Sequence, residues 1–158
     1  MATTEAYKTT LTNIADLKAY VGKELGLSGW TTITQEDINT FAEVTGDHQW
    51  IHVDVERCKK ESPFKQPIAH GFLVLSLASK ISYEALTVEN VSMGVNYGLD
   101  KVRFTSPTPV NSKVRGRVSL MDYEERDGGA RYKVQITFEL EGSDRPACVA
   151  EFIALAFP

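Results

Sequence analysis

The spacing of hydrophobic and polar positions changes character about half-way along this chain. Up to about residue 90 the apolar residues recur at helical intervals, and beyond it they alternate. Ile14, Leu17, Val21 and Leu25, with Gly26 behind them, predict an amphipathic helix over residues 13–25. Trp30 to Ile33 suits a short strand. Thr34-Gln35-Glu36-Asp37 has the form of a capping box, and Ile38, Phe41, Ala42 and Thr45 follow at i, i+3, i+4 and i+7. Gly46 suits the left-handed residue that closes such a helix, which leaves Asp47 in a loop. Asp54 is a good N-cap for a short third helix ending before Pro63. From His70 to about Leu86 the pattern is helical and apolar nearly all round until Lys80, as in a helix enclosed by the rest of a fold.

In the second half, Tyr132, Val134, Ile136, Phe138 and Leu140 alternate with Arg131, Lys133, Gln135, Thr137 and Glu139. Val114, Gly116, Val118 and Leu120 alternate with Lys113, Arg115, Arg117 and Ser119 in the same way. Asp127-Gly128-Gly129 and residues 142–146 are turn signals between long antiparallel strands. Cys148 to Phe157 is apolar on both faces apart from Glu151, so it should be a central strand. Helices followed by an antiparallel meander give an α+β class. The expected arrangement is a hot-dog fold over residues 1–158: a long buried helix wrapped by a curved antiparallel sheet, with extra N-terminal helices. Such a sheet has another face to cover, and a homodimer is the expected solution.

Composition narrows the partners. The chain has 158 residues and a net charge of −4, which argues against a nucleic-acid partner. Its two cysteines, Cys58 and Cys148, have no metal or redox spacing. The start, Met1-Ala2-Thr3-Thr4-Glu5, lacks the features of an export signal, and no apolar run approaches the ~20 residues of a membrane span. A soluble cytoplasmic protein without a membrane partner is the expectation.

The chemistry gathers at Gly46-Asp47-His48-Gln49-Trp50-Ile51-His52. A carboxylate and an imidazole lie five positions apart in a helix-breaking segment, and all three histidines fall within residues 48–70. Such a pair can hold a water and manage its protons. Each residue also has a plainer reading: Asp47 as a turn cap, His52 as a structural loop histidine. His48 and His52 with Asp54 raise a metal site, but Gly46 argues against the helix it would need, and no metal or other cofactor is expected. Gly71 can serve close packing, or can present a free N–H at a helix start to a developing negative charge. Ser79 can support the acid–base pair or bond its own helix backbone. Arg103, Lys113, Arg115 and Arg117 read as solvated strand faces, with contacts to a phosphate-bearing carrier as the alternative.

Gly46-Asp47-x-x-x-Ile51-His52, followed by Pro67-Ile68-Ala69-His70-Gly71-Phe72, strongly resembles the MaoC-like (R)-specific enoyl-CoA hydratases, in a nodulation protein N-like, single-hot-dog branch. The likeness extends over essentially the whole chain, including Asn96-Tyr97-Gly98-Leu99-Asp100-Lys101-Val102-Arg103-Phe104. It implies that Asp47 and His52 hold the attacking water and manage its protons and that the Gly71 N–H receives the thioester oxygen. Ser79 matches a supporting serine of some members. The common motif has Asn-Pro where this chain has Gln49-Trp50; Gln49 would then help hold the active-site loop with a longer reach. The implied reaction is reversible hydration of a trans-2-enoyl-CoA or acyl-carrier thioester. A thioesterase, using Asp47 or Glu61, and a non-catalytic acyl-thioester-binding module are the alternatives.

Overall fold

The computed structural model describes residues 4–158; Met1 to Thr3, where the segment read as lacking an export signal begins, lie outside the described residues. In chain order the elements are β1 (Tyr7–Leu11), a 3₁₀ helix (Ile14–Tyr20), β2 (Glu24–Leu27), β3 (Thr31–Thr32), α1 (Gln35–Thr45), α2 (Trp50–Val53), α3 (Val55–Glu61), α4 (Gly71–Ser76), α5 (Ala78–Ala85), β4 (Leu86–Val88), β5 (Met93–Phe104), β6 (Lys113–Arg126), β7 (Gly129–Leu140) and β8 (Cys148–Phe157). One curved, unclosed sheet runs β4-β1-β2-β6-β7-β8-β5, with β3 also on β6. Every pairing is antiparallel except β1 with β4. This is the hot-dog arrangement, with α4 and α5 against the concave face.

Several elements follow from local sequence. Thr34 Oγ accepts from the Asp37 N–H while the Asp37 carboxylate accepts from the Thr34 N–H, so the capping box starts α1. Gly46 ends it with φ +76°, its N–H on the Ala42 carbonyl at 2.8 Å. Asp127-Gly128 turns β6 into β7, with Gly128 at φ +77°. β8 is flanked on both sides, by β7 and β5, as an internal strand should be.

Residues 13–25 differ from the helix their spacing predicts. A 3₁₀ helix stops at Tyr20, the chain turns at Gly22 with φ +80°, and Glu24–Leu27 is a strand. Leu25 and Leu27 are fully buried in that strand, so sheet pairing with β1 and β6 overrides the helical period. β1 itself has no strong sequence signature: it is polar, and its partners lie near residues 26 and 87.

The helix predicted from His70 to Leu86 is interrupted and only one face is covered. Ser76 Oγ donates to the Leu73 carbonyl at 2.7 Å, and the chain tightens at Leu77 before α5 begins. Val74, Ala78, Ile81 and Ala85 are buried, whereas Phe72 and Tyr83 are 70% and 78% exposed. All-round burial is therefore not achieved within one chain. Two glycines let α5 approach closely. A Cβ on Gly26 would run into the Ala85 backbone, and one on Gly116 into the Ile81 side chain.

The edge strand β5 is the other exposed region. Met93, Val95, Tyr97, Leu99 and Phe104 are all more than a third exposed. Long apolar edges of this kind are normally paired or covered.

Candidate active site

Asp47 follows the left-handed Gly46 directly, so the end of α1 delivers its carboxylate into a loop. The side chain is half exposed, and its Oδ1 accepts a long bond from the Gln49 N–H at 3.3 Å. One short turn, α2, then carries His52 inward until it is 6% exposed. His52 Nδ1 lies 2.7 Å from the Ile68 carbonyl oxygen. A carbonyl only accepts, so Nδ1 carries the hydrogen and Nε2 keeps its lone pair. No protein group among the described residues bonds that Nε2. Burial holds the His52 pKa below the usual histidine value; the Ile68 carbonyl and Asp47 pull it up, and His70 pushes it further down. The imidazole is thus held as a neutral ring with its acceptor nitrogen free.

His70 completes the cluster, and the sequence had marked it only as the neighbour of Gly71. Its ring stacks on His52 with centroids 3.9 Å apart and planes 26° from parallel. Its Nε2 donates to the Asp47 carbonyl at 2.9 Å and lies 4.0 Å from Asp47 Oδ2. Donor atoms of Asp47, His52 and His70 all fall within 4.8 Å of one another. The crowding of three histidines into residues 48–70 was the available signal. Near-parallel stacked rings point their in-plane lone pairs along separate planes rather than at one centre, so the arrangement suits proton handling better than a tetrahedral ion. The other set raised from sequence does not assemble: His48 pairs with Glu43 at 2.8 Å, and Asp54 caps α3 through the Arg57 N–H.

Gly71 starts α4 immediately after His70, and the N–H groups of a first turn have no acceptor within the helix. With only six residues in α4, the N–H itself matters more than any helix dipole. The packing reading of Gly71 has direct support: an added Cβ would sit 3.1 Å from the Phe104 ring. Phe104, at the end of β5, is a wall of the site; in the sequence it stands only within the Asn96-to-Phe104 stretch of the family likeness, with no role marked.

Ser79 is not in this cluster. It lies on α5, on the wall of a cavity of about 390 Å³ between α5 and the sheet. Val118, Val134, Phe152 and Ala154 form part of its apolar floor, and Ser82 and Tyr83 part of its rim. Asp47, His52 and Gly71 do not line it. Gln49 is exposed at the start of α2 and acts on the loop through its backbone, as the bond to Asp47 shows; its side chain makes no hydrogen bond among the described residues.

The basic strand residues are largely committed elsewhere. Glu139 bonds Arg115 at 2.6 Å and Arg117 at 2.8 Å, Arg117 also reaches Glu24 at 2.9 Å, and Arg115 lies over the Trp30 ring. Arg103 donates to the adjacent Val102 carbonyl. Glu61, the alternative carboxylate for a thioesterase, is paired with Arg57 at 2.8 Å. No helix among the described residues is long and apolar enough to cross a membrane.

Comparison with known proteins gives a consistent picture. The family described as MaoC like domain matches residues 16–142. The chain is 50% identical over 145 residues to 3-hydroxyacyl-thioester dehydratase Z of Mycobacterium tuberculosis, covering 91% of this chain and 95% of that protein. It is 44% identical over 146 residues to Nodulation protein N of Rhizobium meliloti, covering 91% of each. Among solved structures, an (R)-hydratase from A. caviae involved in PHA biosynthesis superposes with a TM-score of 0.66 at 19% identity, over 80% of this chain and 89% of that one, a likeness of fold.

Proposed function

This chain belongs to the MaoC-like dehydratase family, and from that premise we propose that it interconverts trans-2-enoyl and (R)-3-hydroxyacyl thioesters, using Asp47 and His52 as acid and base. The observation that carries the reading is the meeting of a half-exposed carboxylate with a buried imidazole whose Nε2 is free, in a cluster whose third member, His70, directly precedes Gly71. In the hydration direction the pair removes a proton from water, with Asp47 as the base that receives it, and the oxygen bonds to C3 of the enoyl group. The displaced electrons reach the thioester oxygen, where the Gly71 N–H stabilises the charge. The pair then returns a proton to C2, so one water is added and the residues end as they began. No cofactor enters these steps.

The acyl tail fits the cavity beside α5. Ser79 lies eight residues beyond Gly71 and across the break at Leu77, so a crotonyl tail, one carbon past C3, stops short of the cavity and longer tails enter it. Each methylene buried there is worth about 0.8 kcal/mol, or roughly fourfold in kcat/KM. The thioester carrier is CoA or an acyl carrier protein. The protein acts as a homodimer, a reading supported by the uncovered apolar residues of β5 and α4.

The test is a series of trans-2-enoyl-CoA substrates of rising length, with stereochemical analysis of the product. An (S) product, or activity abolished by a chelator, overturns the assignment. Light scattering that gives only the 17.5 kDa monomer at micromolar concentration overturns the dimer.

A further inference from the structure

We propose that His70 is a positioning residue for the acid–base pair: it tethers the loop that carries Asp47 and, stacked on His52, opposes a second proton in the cluster. This rests on the reading of Asp47 and His52 as base and acid.

The tether is visible in the bonds of Asp47. Its local contacts are long: the Asp47 N–H to Thr45 Oγ at 3.4 Å, and Oδ1 to the Gln49 N–H at 3.3 Å. Both lie beyond the usual range of a good N–H···O bond. The bond from His70 Nε2 to the Asp47 carbonyl is 2.9 Å and spans 23 residues. It joins the catalytic loop to the start of α4, and so fixes the carboxylate relative to Gly71. His70 is well placed to hold firm, being 2% exposed and packed between the rings of His52 and Phe41, the latter 5.0 Å away.

The second role follows from the stack. Two imidazoles with centroids 3.9 Å apart cannot both be cationic without strong repulsion, so the stack disfavours a second proton. The charge of His70 is among the causes that lower the His52 pKa, after burial. Asp47 is the titratable group facing the pair from the loop; Phe41 of α1 and Phe104 of β5 present uncharged rings, and His48 is turned away onto Glu43. His70 Nδ1 is buried without a partner. An orphaned acceptor destabilises the fold, and a residue kept only for packing or tethering would not need it. Phenylalanine would fill the stack, and glutamine could supply the donor.

Those two replacements make the experiment. Wild type, His70→Phe and His70→Gln are prepared with isotope-labelled histidine, and each imidazole is titrated by NMR, with exposed His48 as internal control. Removing the ring that competes for a proton should raise the His52 midpoint in both variants while His48 stays put. In steady-state assays His70→Phe, which keeps the stack but loses the donor, should lower kcat at least about tenfold with KM little changed, the scale expected of a misplaced catalytic group. His70→Gln should recover part of that loss. An unmoved His52 midpoint in the folded variants overturns the proposal even where activity falls, because a merely structural histidine gives that result. A kcat within about twofold of wild type in His70→Phe overturns it too. Should the wild type show no hydratase activity, the reaction assignment fails, and the titration still decides whether His70 acts on His52.

Discussion

Replacing Asp47 by Asn isolates the carboxylate's basicity from its structural duties. The amide keeps an oxygen where Oδ1 accepts from the Gln49 N–H, and the backbone carbonyl that receives His70 Nε2 is untouched. The side chain is half exposed, so the fold should change by no more than about 0.5 kcal/mol. Chemistry should change far more. A positioned general base contributes ~10²–10⁴ in rate, or roughly 3–5 kcal/mol of barrier. The assay is loss of the enoyl-thioester absorbance at saturating substrate, with circular dichroism and thermal melts on the same samples. If Asp47 only caps the turn, Asn caps equally well and kcat stays near wild type. A folded Asp47→Asn enzyme with more than about a tenth of wild-type kcat would refute the mechanism, since under ~1.4 kcal/mol would then remain for the base.

His52→Ala should also collapse kcat, whereas His48→Ala, whose ring faces Glu43, should leave it near wild type; parallel assays of the two decide. Burial depresses the His52 pKa, so the folded state resists protonation. Stability from this group is complete above the ordinary histidine value of about 6.5 and is lost as pH falls below it toward the folded value. Melting temperatures across that range should decline less steeply for His52→Gln than for wild type. Gly26→Ala forces a methyl into the Ala85 backbone and should destabilise the fold by about 1–3 kcal/mol in urea titrations, with the kcat of the folded fraction kept. Gly71→Ala meets only the half-exposed Phe104 ring, so activity should fall more than stability when kinetics and melts are compared.

What the sequence conveyed was mostly what short segments decide for themselves. Thr34 and Asp37 cap α1 through their own neighbours, Gly46 ends it, and the β6–β7 hairpin follows from alternation around Asp127-Gly128. Residues 13–25 misled because a helical spacing of apolar residues also arises where a 3₁₀ turn, a glycine and a strand follow one another. Their real partners, Ser119 and its neighbours on β6, are about a hundred positions away, and no local period encodes that. The apolar run after His70 reads as buried all round, yet Tyr83 and Phe72, the latter edge-on to Phe104, stay largely exposed in a single chain. Asp47 and His52 were legible as a pair because they share one loop. Phe104 and the ring stack of His70 were not, since each depends on how segments from different parts of the chain meet.

The break at Leu77 has a consequence for how such a protein can diverge. The Asp47, His52 and His70 cluster leans on the start of α4, while the cavity proposed for the acyl tail is walled by α5 and the sheet behind it. A change at Ser82 or Tyr83 is therefore separated from Asp47, His52 and His70 by a joint in the helix. On the proposed reading, descendants of this chain can exchange one fatty tail for another by drift at one end, while the residues proposed to move water stay as inherited at the other.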